Sequence, residues 1–262
     1  MAEIGKKVKE RDFIKFLGTA GARFVMIRQL RASGGLWVSA AGKNILIDPG
    51  PGSIVRCAAS RPKLDPASLD AIILTHRHLD HSSDINVMIE AMTEGGFKKK
   101  GEVFCPRDAL GEDAVILKYC RAFVEKIELL KPLGDYSVGD FQFQTSMLHI
   151  HPVETYGLRF KIKNTSVGLL TDTRYFNDLI DFYKTDLLII SVVFLEPRAG
   201  IDHLCLVEAE ALIKEIRPKR AVLTHFGMNM LKAKPHIQAE ALSQKLGIEV
   251  IAARDGMRIE VP

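Results

Sequence analysis

The stretch Ala71-Ile-Ile-Leu-Thr-His76-Arg-His78-Leu-Asp80-His81 restricts what this chain can fold into more than any other part of it. An apolar, β-branched run reads as a buried strand, and it passes directly into four groups able to hold a cation. Beyond them Ile85, Met88, Ile89 and Met92 recur at helical spacing, with Ser82 or Ser83 available as N-cap. If His76 and His78 continue the strand, they project to one side, because strand side chains alternate with a period of two. The chain then turns, and Asp80 and His81 aim at a neighbouring point. That geometry suits two metal ions rather than one. The chain holds only 8 histidines, so this concentration points to metal binding rather than to a merely polar turn.

Further short apolar runs bounded by Gly, Asp or Pro predict strands over 13–17, 24–30, 36–39, 44–47, 102–104, 141–150, 158–162, 166–170, 186–190, 221–223, 248–251 and 257–261. Leu206, Ala209, Ile213 and Ile216 form a second helical stripe, and a third helix runs from Pro235 to Gly247, residues favoured at those ends. Strand-rich meanders followed by helix–strand alternation predict face-to-face sheets with helices outside, more than a purely parallel doubly wound sheet. No linker or repeat interrupts the sequence, which predicts one domain over residues 1–262.

Composition narrows the class. With 47% apolar and 26% charged residues and a net charge of +4, the chain is globular and not disordered. No run approaches a membrane span, the start MAEIGKKVKERDF is too polar for a signal peptide, and Cys57, Cys105, Cys120 and Cys205 stand far apart. Together these predict a cytoplasmic protein with reduced thiols and no membrane partner. Lys6, Lys7, Lys9, Arg11 and Lys15, and the loop Lys98–Lys100, read as solvated surface.

Three more strand ends carry candidate ligands. His149 and His151 close the 141–150 run, Asp172 follows 166–170, and His225 follows 221–223. Singly, each is an ordinary capping or loop residue. Behind the first cluster they read as contributions to one rim. Neutral imidazole suits borderline cations such as zinc, and carboxylate tolerates harder ions such as manganese or iron.

Taken together, His76-x-His78-x-Asp80-His81, His151, Asp172 and His225 resemble the metallo-β-lactamase fold hydrolases, in the same order along nearly the whole chain. The opening Phe16-Leu-Gly-Thr-Ala-Gly21, the turn Asp48-Pro-Gly-Pro-Gly52 and the closing Asp255-Gly-Met257 are similar to that family too. The resemblance implies an α+β fold, a four-layer αββα sandwich, with a binuclear centre between the sheet edges. Carried over, His76, His78 and His151 hold one divalent ion; Asp80, His81 and His225 hold the other; Asp172 bridges them. Zinc stands first, with manganese and iron as alternatives. His149 is the rival for the third-ligand position; His151 is preferred because it leads into Tyr156-Gly157 as in the phosphodiesterase branch, and His149 becomes a supporting residue.

Asp172 in place of a bridging cysteine argues against lactam hydrolysis, and His78 in place of a carboxylate argues against the flavodiiron branch. Arg28, the His151–Gly157 stretch and His203 are similar to the tRNA 3′-processing endonucleases and to the cyclic-phosphate phosphodiesterases of bacterial phosphonate metabolism. The resemblance gives Asp80 and His203 catalytic roles: Asp80 positions the attacking hydroxide, and His203 stabilises the phosphoryl group or protonates the leaving oxygen. The departures are specific. Only residues 152–171 separate His151 from Asp172, leaving no room for a tRNA-gripping arm. His203-Leu204-Cys205 replaces a His-Ser-Thr triplet, and no zinc-binding cysteines lie between Thr19 and Gly35. The expected substrate is a small or nucleotide-like phosphodiester, with nucleic acid a second partner class and a homodimer compatible with the sequence. The competing readings are an ester, thioester or lactone hydrolase on the same site, and a non-catalytic metal-binding module. Gly18–Gly21 reads as a turn more than a phosphate cradle, and Arg174 as a partner of Asp178 more than of a substrate anion.

Overall fold

The computed structural model of the chain describes residues 12–261, so the basic residues at positions 6–11 lie outside it. The first part of the chain forms strands β1 (Phe13–Phe16), β2 (Leu36–Ala40), β3 (Lys43–Ile47), β4 (Ala71–Ile73), β5 (Glu102–Cys105) and β6 (Lys126–Leu129). Helices α1 (Ala22–Ile27), α2 (Ser53–Ala59), α3 (Leu79–Ser82), α4 (Ile85–Met92) and α5 (Lys118–Arg121) interrupt them. A second set follows: β7 (Asp135–Val138), β8 (Phe141–Thr145), β9 (Leu158–Ile162), β10 (Thr165–Leu170), β11 (Leu187–Ser191), β12 (Arg220–Thr224) and β13 (Glu249–Ala252). Its helices are α6 (Asp178–Phe182), α7 (Leu206–Ile216), α8 (Met228–Lys232) and α9 (Pro235–Leu246), and β14 (Arg258–Glu260) closes the chain.

The strands make two seven-stranded sheets, ordered β14-β1-β2-β3-β4-β5-β6 and β13-β12-β11-β10-β9-β8-β7. Each is half meander and half crossover: pairs from β14 to β3 and from β7 to β10 are antiparallel, and pairs from β3 to β6 and from β10 to β13 are parallel. β14 returns to the first sheet, with Ile259 opposite Ile14.

Strand alternation assigns the layers. Ile45, Ile47 and Ile73 point into the core between the sheets, where they meet Phe143, Leu169 and Ile189. Their neighbours Leu46 and Ile72 point outward onto Ile85, Met88 and Met92 of α4. On the other sheet Leu188, Ile190 and Leu223 point outward onto Leu212 and Ile213 of α7. Strands buried on both faces read as continuous apolar runs, and the result is the expected α+β sandwich with αββα layers. Because β3, β4, β10 and β12 belong to the parallel halves, the residues after their carboxyl ends, Asp48, His76, Asp172 and His225, fall where crossover loops leave the sheets.

Some expectations need correction. The 24–30 run is not a strand: residues 24–27 belong to the helix α1, where Val25 is fully buried and Phe24 and Ile27 are exposed. The strand expected over 141–150 ends at Thr145: Ser146 N–H still donates to the Gly157 carbonyl, but Gly157 N–H donates to Ser146 Oγ in place of a backbone carbonyl. Strands β6 and β7 escaped the apolar criterion because they are partly exposed edge strands. Ser82 and Ser83 do not cap α4. Their hydroxyls donate to the carbonyls of Arg77 and Leu79, and Asp84 precedes the helix. All four cysteines are free and buried. Among the described residues no helix is long and apolar enough to cross a membrane.

Candidate metal centre

The rim is organised by Asp48, a non-glycine residue in the left-handed region (φ 54°) immediately after β3. Its carboxylate accepts from Thr75 N–H and Oγ1, both at 2.7 Å, and its Oδ2 lies 2.9 Å from His81 Nδ1. With Nδ1 engaged, the His81 ring turns Nε2 to within 3.7 Å of Asp80 Oδ2 and 3.6 Å of Asp172 Oδ2. Thr75 Oγ1 lies 3.1 Å from His76 Nδ1, so one buried carboxylate and one hydroxyl orient two imidazoles.

The remaining candidates converge from both sheets. His225, at φ 59° just past β12, brings Nε2 to 3.5 Å from Asp80 Oδ2 and 3.3 Å from Asp172 Oδ1. His151 directs Nδ1 at the Asp202 carbonyl (2.9 Å) and Nε2 at His78 Nδ1 (3.0 Å). Ligand atoms lie within 4.8 Å of one another in His76/His78/His151, in Asp80/His81/His225, in His76/His81/Asp172 and in His151/Asp172/His203. Asp172 thus belongs to two groups and touches the centre of the site. Such separations match bonds of about 2.0–2.2 Å to a shared cation.

Unsatisfied atoms test that fit. His76 Nε2, His81 Nε2, His225 Nε2, Asp172 Oδ1 and His203 Nδ1 are all buried without a hydrogen-bond partner. Each such atom costs on the order of 1–3 kcal/mol; those on His76, His81, His225 and Asp172 make a donor set that fits divalent cations, with His203 Nδ1 orphaned beside them. Electrostatics agrees. Burial pushes His76 well below its ordinary range and His78 down to about 4, with neighbouring imidazoles adding to both. Burial opposes the charge on Asp172, yet His225, His203 and His81 hold it well below the carboxylate range. Burial likewise works against charge on His81, but Asp80, Asp48 and Asp172 win and raise it well above its usual value.

His149 stands apart. Burial lowers it to about 4; its Nδ1 donates to the Asp172 carbonyl (3.1 Å), and its Nε2 accepts from Tyr183 OH (2.9 Å). It braces the backbone behind Asp172 instead of facing the ligand groups. Arg174 approaches Asp202 at 3.9 Å rather than Asp178, because Asp202 is brought alongside by the loop that carries His203. The Gly18–Gly21 loop offers no phosphate cradle. Thr19 and Ala20 N–H donate to the Ala32 carbonyl, and Gly21 N–H donates to the Phe226 carbonyl. Gly21 is required there by close approach alone: a Cβ would sit 2.1 Å from the His225 carbonyl oxygen.

A cavity of about 830 Å³ opens beside the centre, with His78, Asp80, Asp172 and His203 on its wall. Sequence reasoning did not foresee the roles of Thr75 and Tyr183 or the cavity wall. For Asp48 the available signal was its place at a strand end before Pro49-Gly-Pro-Gly52.

The β-lactamase superfamily domain matches residues 43–226, most of the chain and every candidate ligand. The chain belongs to that superfamily. It is 32% identical to the uncharacterised protein MJ1374 of Methanocaldococcus jannaschii over 95% of its own length and 94% of that protein. It is 29% identical to the probable metallo-hydrolase YhfI of Bacillus subtilis, over 74% of this chain and 80% of YhfI. The crystal structure of YhfI, a metallo-β-lactamase fold protein, superposes with a TM-score of 0.78 at 22% identity, covering 96% of this chain and 100% of that one. A diphosphatase from the PhnP family superposes with a TM-score of 0.74 at 21% identity, covering 96% and 98%. At such identities both structures establish the fold.

Proposed function

We propose that the chain is a metal-dependent hydrolase with a binuclear centre, acting over its full length as one domain on a small or nucleotide-like phosphodiester. His76, His78 and His151 would hold one divalent ion, Asp80, His81 and His225 the other, and Asp172 both; the imidazole-rich set favours zinc over manganese or iron. The ions would supply Lewis acidity, acidifying a water and offsetting charge on phosphoryl oxygens. Asp80, beside His81 and His225, would orient that water by accepting its hydrogen bond. Asp48 and Thr75 keep His81 and His76 in register.

The observation that carries the phosphodiester reading is His203. Its Nδ1 is buried without a hydrogen-bond partner, 3.5 Å from Asp172 Oδ2, on the wall of the cavity and outside both ligand triads. A further imidazole so placed can hold a proton at Nδ1 for a leaving oxygen or contact a phosphoryl oxygen. PhnP-family membership of a diphosphatase with the same fold supports phosphoryl chemistry.

The test is hydrolysis of bis(p-nitrophenyl) phosphate by zinc- or manganese-loaded protein beside Asp80→Ala and His203→Ala. The expected outcome is metal-dependent turnover abolished by D80A and lowered by roughly 10²–10⁴-fold in H203A. No diester turnover at a fully loaded site, with thioester or lactone cleavage indifferent to H203A, would replace this reading with acyl hydrolysis.

A further inference from the structure

Several apolar side chains around the cavity stay largely exposed in the folded chain. Phe24 (60% exposed) and Ile27 (66%) project from α1, Leu79 (63%) sits between His78 and Asp80, and Ile201 (42%) lies two residues before His203; all four line the one cavity. Exposed apolar residues scattered singly need no explanation, whereas several sharing a concavity mark a binding surface. The wall continues through Phe194, whose ring faces His203 edge-on at 6.2 Å and carries the Arg198 guanidinium at 4.6 Å on the ring. Arg198 and Arg23, also on this wall, have no ion-pair partner among the described residues. Cavities of about 300–1,000 Å³ take ligands of drug or nucleotide size.

We propose that this cavity receives the part of the substrate that does not react, and that this part is a planar apolar group of aryl or nucleobase size on an anionic diester. The proposal rests on the phosphodiester reading above. A flat hydrocarbon-rich group fits between Phe24, Ile27 and the Phe194–Arg198 stack, as aromatic and guanidinium faces favour stacked partners. The two arginines favour an anionic substrate over a neutral ester. The cavity is continuous with His78, Asp80 and His203, so an occupant spans from the apolar wall to the proposed reacting centre.

The experiment uses metal-loaded full-length protein and diesters that share one leaving group: p-nitrophenyl methyl, p-nitrophenyl phenyl and p-nitrophenyl naphthyl phosphate. KM is expected to fall by roughly tenfold to a hundredfold from methyl to phenyl, the effect of burying one ring at about 25 cal/mol per Å². Phe24→Ser/Ile27→Ser should shrink that gap to within about threefold. Calorimetric binding of phenylphosphonate against methylphosphonate should show the same preference and the same loss in the double variant, without any turnover. Equal binding of the two phosphonates, or a preference that survives F24S/I27S, overturns the proposal. So does a double variant that keeps the preference and changes from dimer to monomer in sedimentation, which assigns the apolar rim to a second copy. Absence of turnover with every diester while the phenyl preference persists in calorimetry defeats the phosphodiester reading and leaves the pocket standing.

Discussion

Gly21→Ala would test whether the site depends on how closely two loops meet. Gly21 precedes α1 in an extended conformation (φ −120°, ψ 162°) that any residue adopts, so alanine strains nothing locally. Its Cβ would lie 2.1 Å from the His225 carbonyl oxygen, 2.4 Å from the carbonyl carbon and 2.8 Å from ring atom Cδ2. Relief requires a shift of roughly 1 Å in backbone atoms, which cannot swing aside as a flexible side chain can. His225 has little freedom to move: it is held at φ 59°, with Phe226 N–H donating to the Thr19 carbonyl at 2.9 Å. Overpacking of this kind costs about 1–3 kcal/mol of stability. Displacing an oriented ligand lowers metal affinity by roughly 10–100-fold, and a misplacement of about 1 Å lowers turnover by on the order of 10²-fold. Chelator competition should show one cation weakened, the one assigned to Asp80, His81 and His225, and the other retained. Two equivalents bound with unchanged affinity, together with an unchanged unfolding midpoint, would refute the close-contact argument.

One part of the pH dependence of metal-free protein comes from His149, held neutral by burial at about 4. The unfolded chain takes up this proton near pH 6.5 and the fold does not, so stability is present above that pH and declines as pH falls toward 4; at pH 5 the loss is about 2 kcal/mol. His149→Asn should remove that part of the difference between urea midpoints at pH 7 and pH 5, and an unchanged difference would contradict it. His81 has the opposite shift: its raised pKa makes the protonated ring stabilising at low pH, a contribution lost as pH rises through the raised value. A cation taking Nε2 must displace that proton, so calorimetry of zinc binding in two buffers of different ionisation enthalpy should reveal proton release and weaker binding at lower pH. Identical heats in both buffers would oppose the assignment. Thr75→Val removes the hydroxyl that donates to Asp48 Oδ2 and should cost about 1.5–3 kcal/mol of unfolding free energy in a denaturant titration.

Much of this architecture was legible because β3, β4, β10, β11 and β12 are apolar on both faces, and such runs announce themselves. The 24–30 run misled for the same reason: Phe24 and Ile27 are apolar without being core, and hydrophobicity alone does not distinguish a side chain facing a cavity from one facing a sheet. β6 and β7 were illegible because edge strands alternate weakly and carry Lys126, Glu128 and Asp135. In the site, the His76–His81 cluster was visible as local density, whereas the fold alone brings His151, Asp172 and His225 beside it. The supporting role of His149 could be read from its place on the strand, but its partner Tyr183 could not, since Tyr183 is distant in sequence and meets it only in the folded chain. Asp48 looked like turn chemistry until its left-handed backbone aimed its carboxylate at Thr75 and His81.

The two sheets divide the ligand groups between them in a way that orders events in time. His76, His78, Asp80 and His81 follow β4 in one sheet, and His151, Asp172 and His225 leave the other. Neither sheet alone offers three ligand atoms to either proposed position without Asp80 and His81 waiting for His225, or His76 and His78 waiting for His151. A nascent chain growing from its amino end can form the early cluster long before residue 225 emerges. Under the proposed ligand assignment, loading at full strength would wait for the late strands, and bound ions would act as a seal, fastening the first-made half of the molecule to the last.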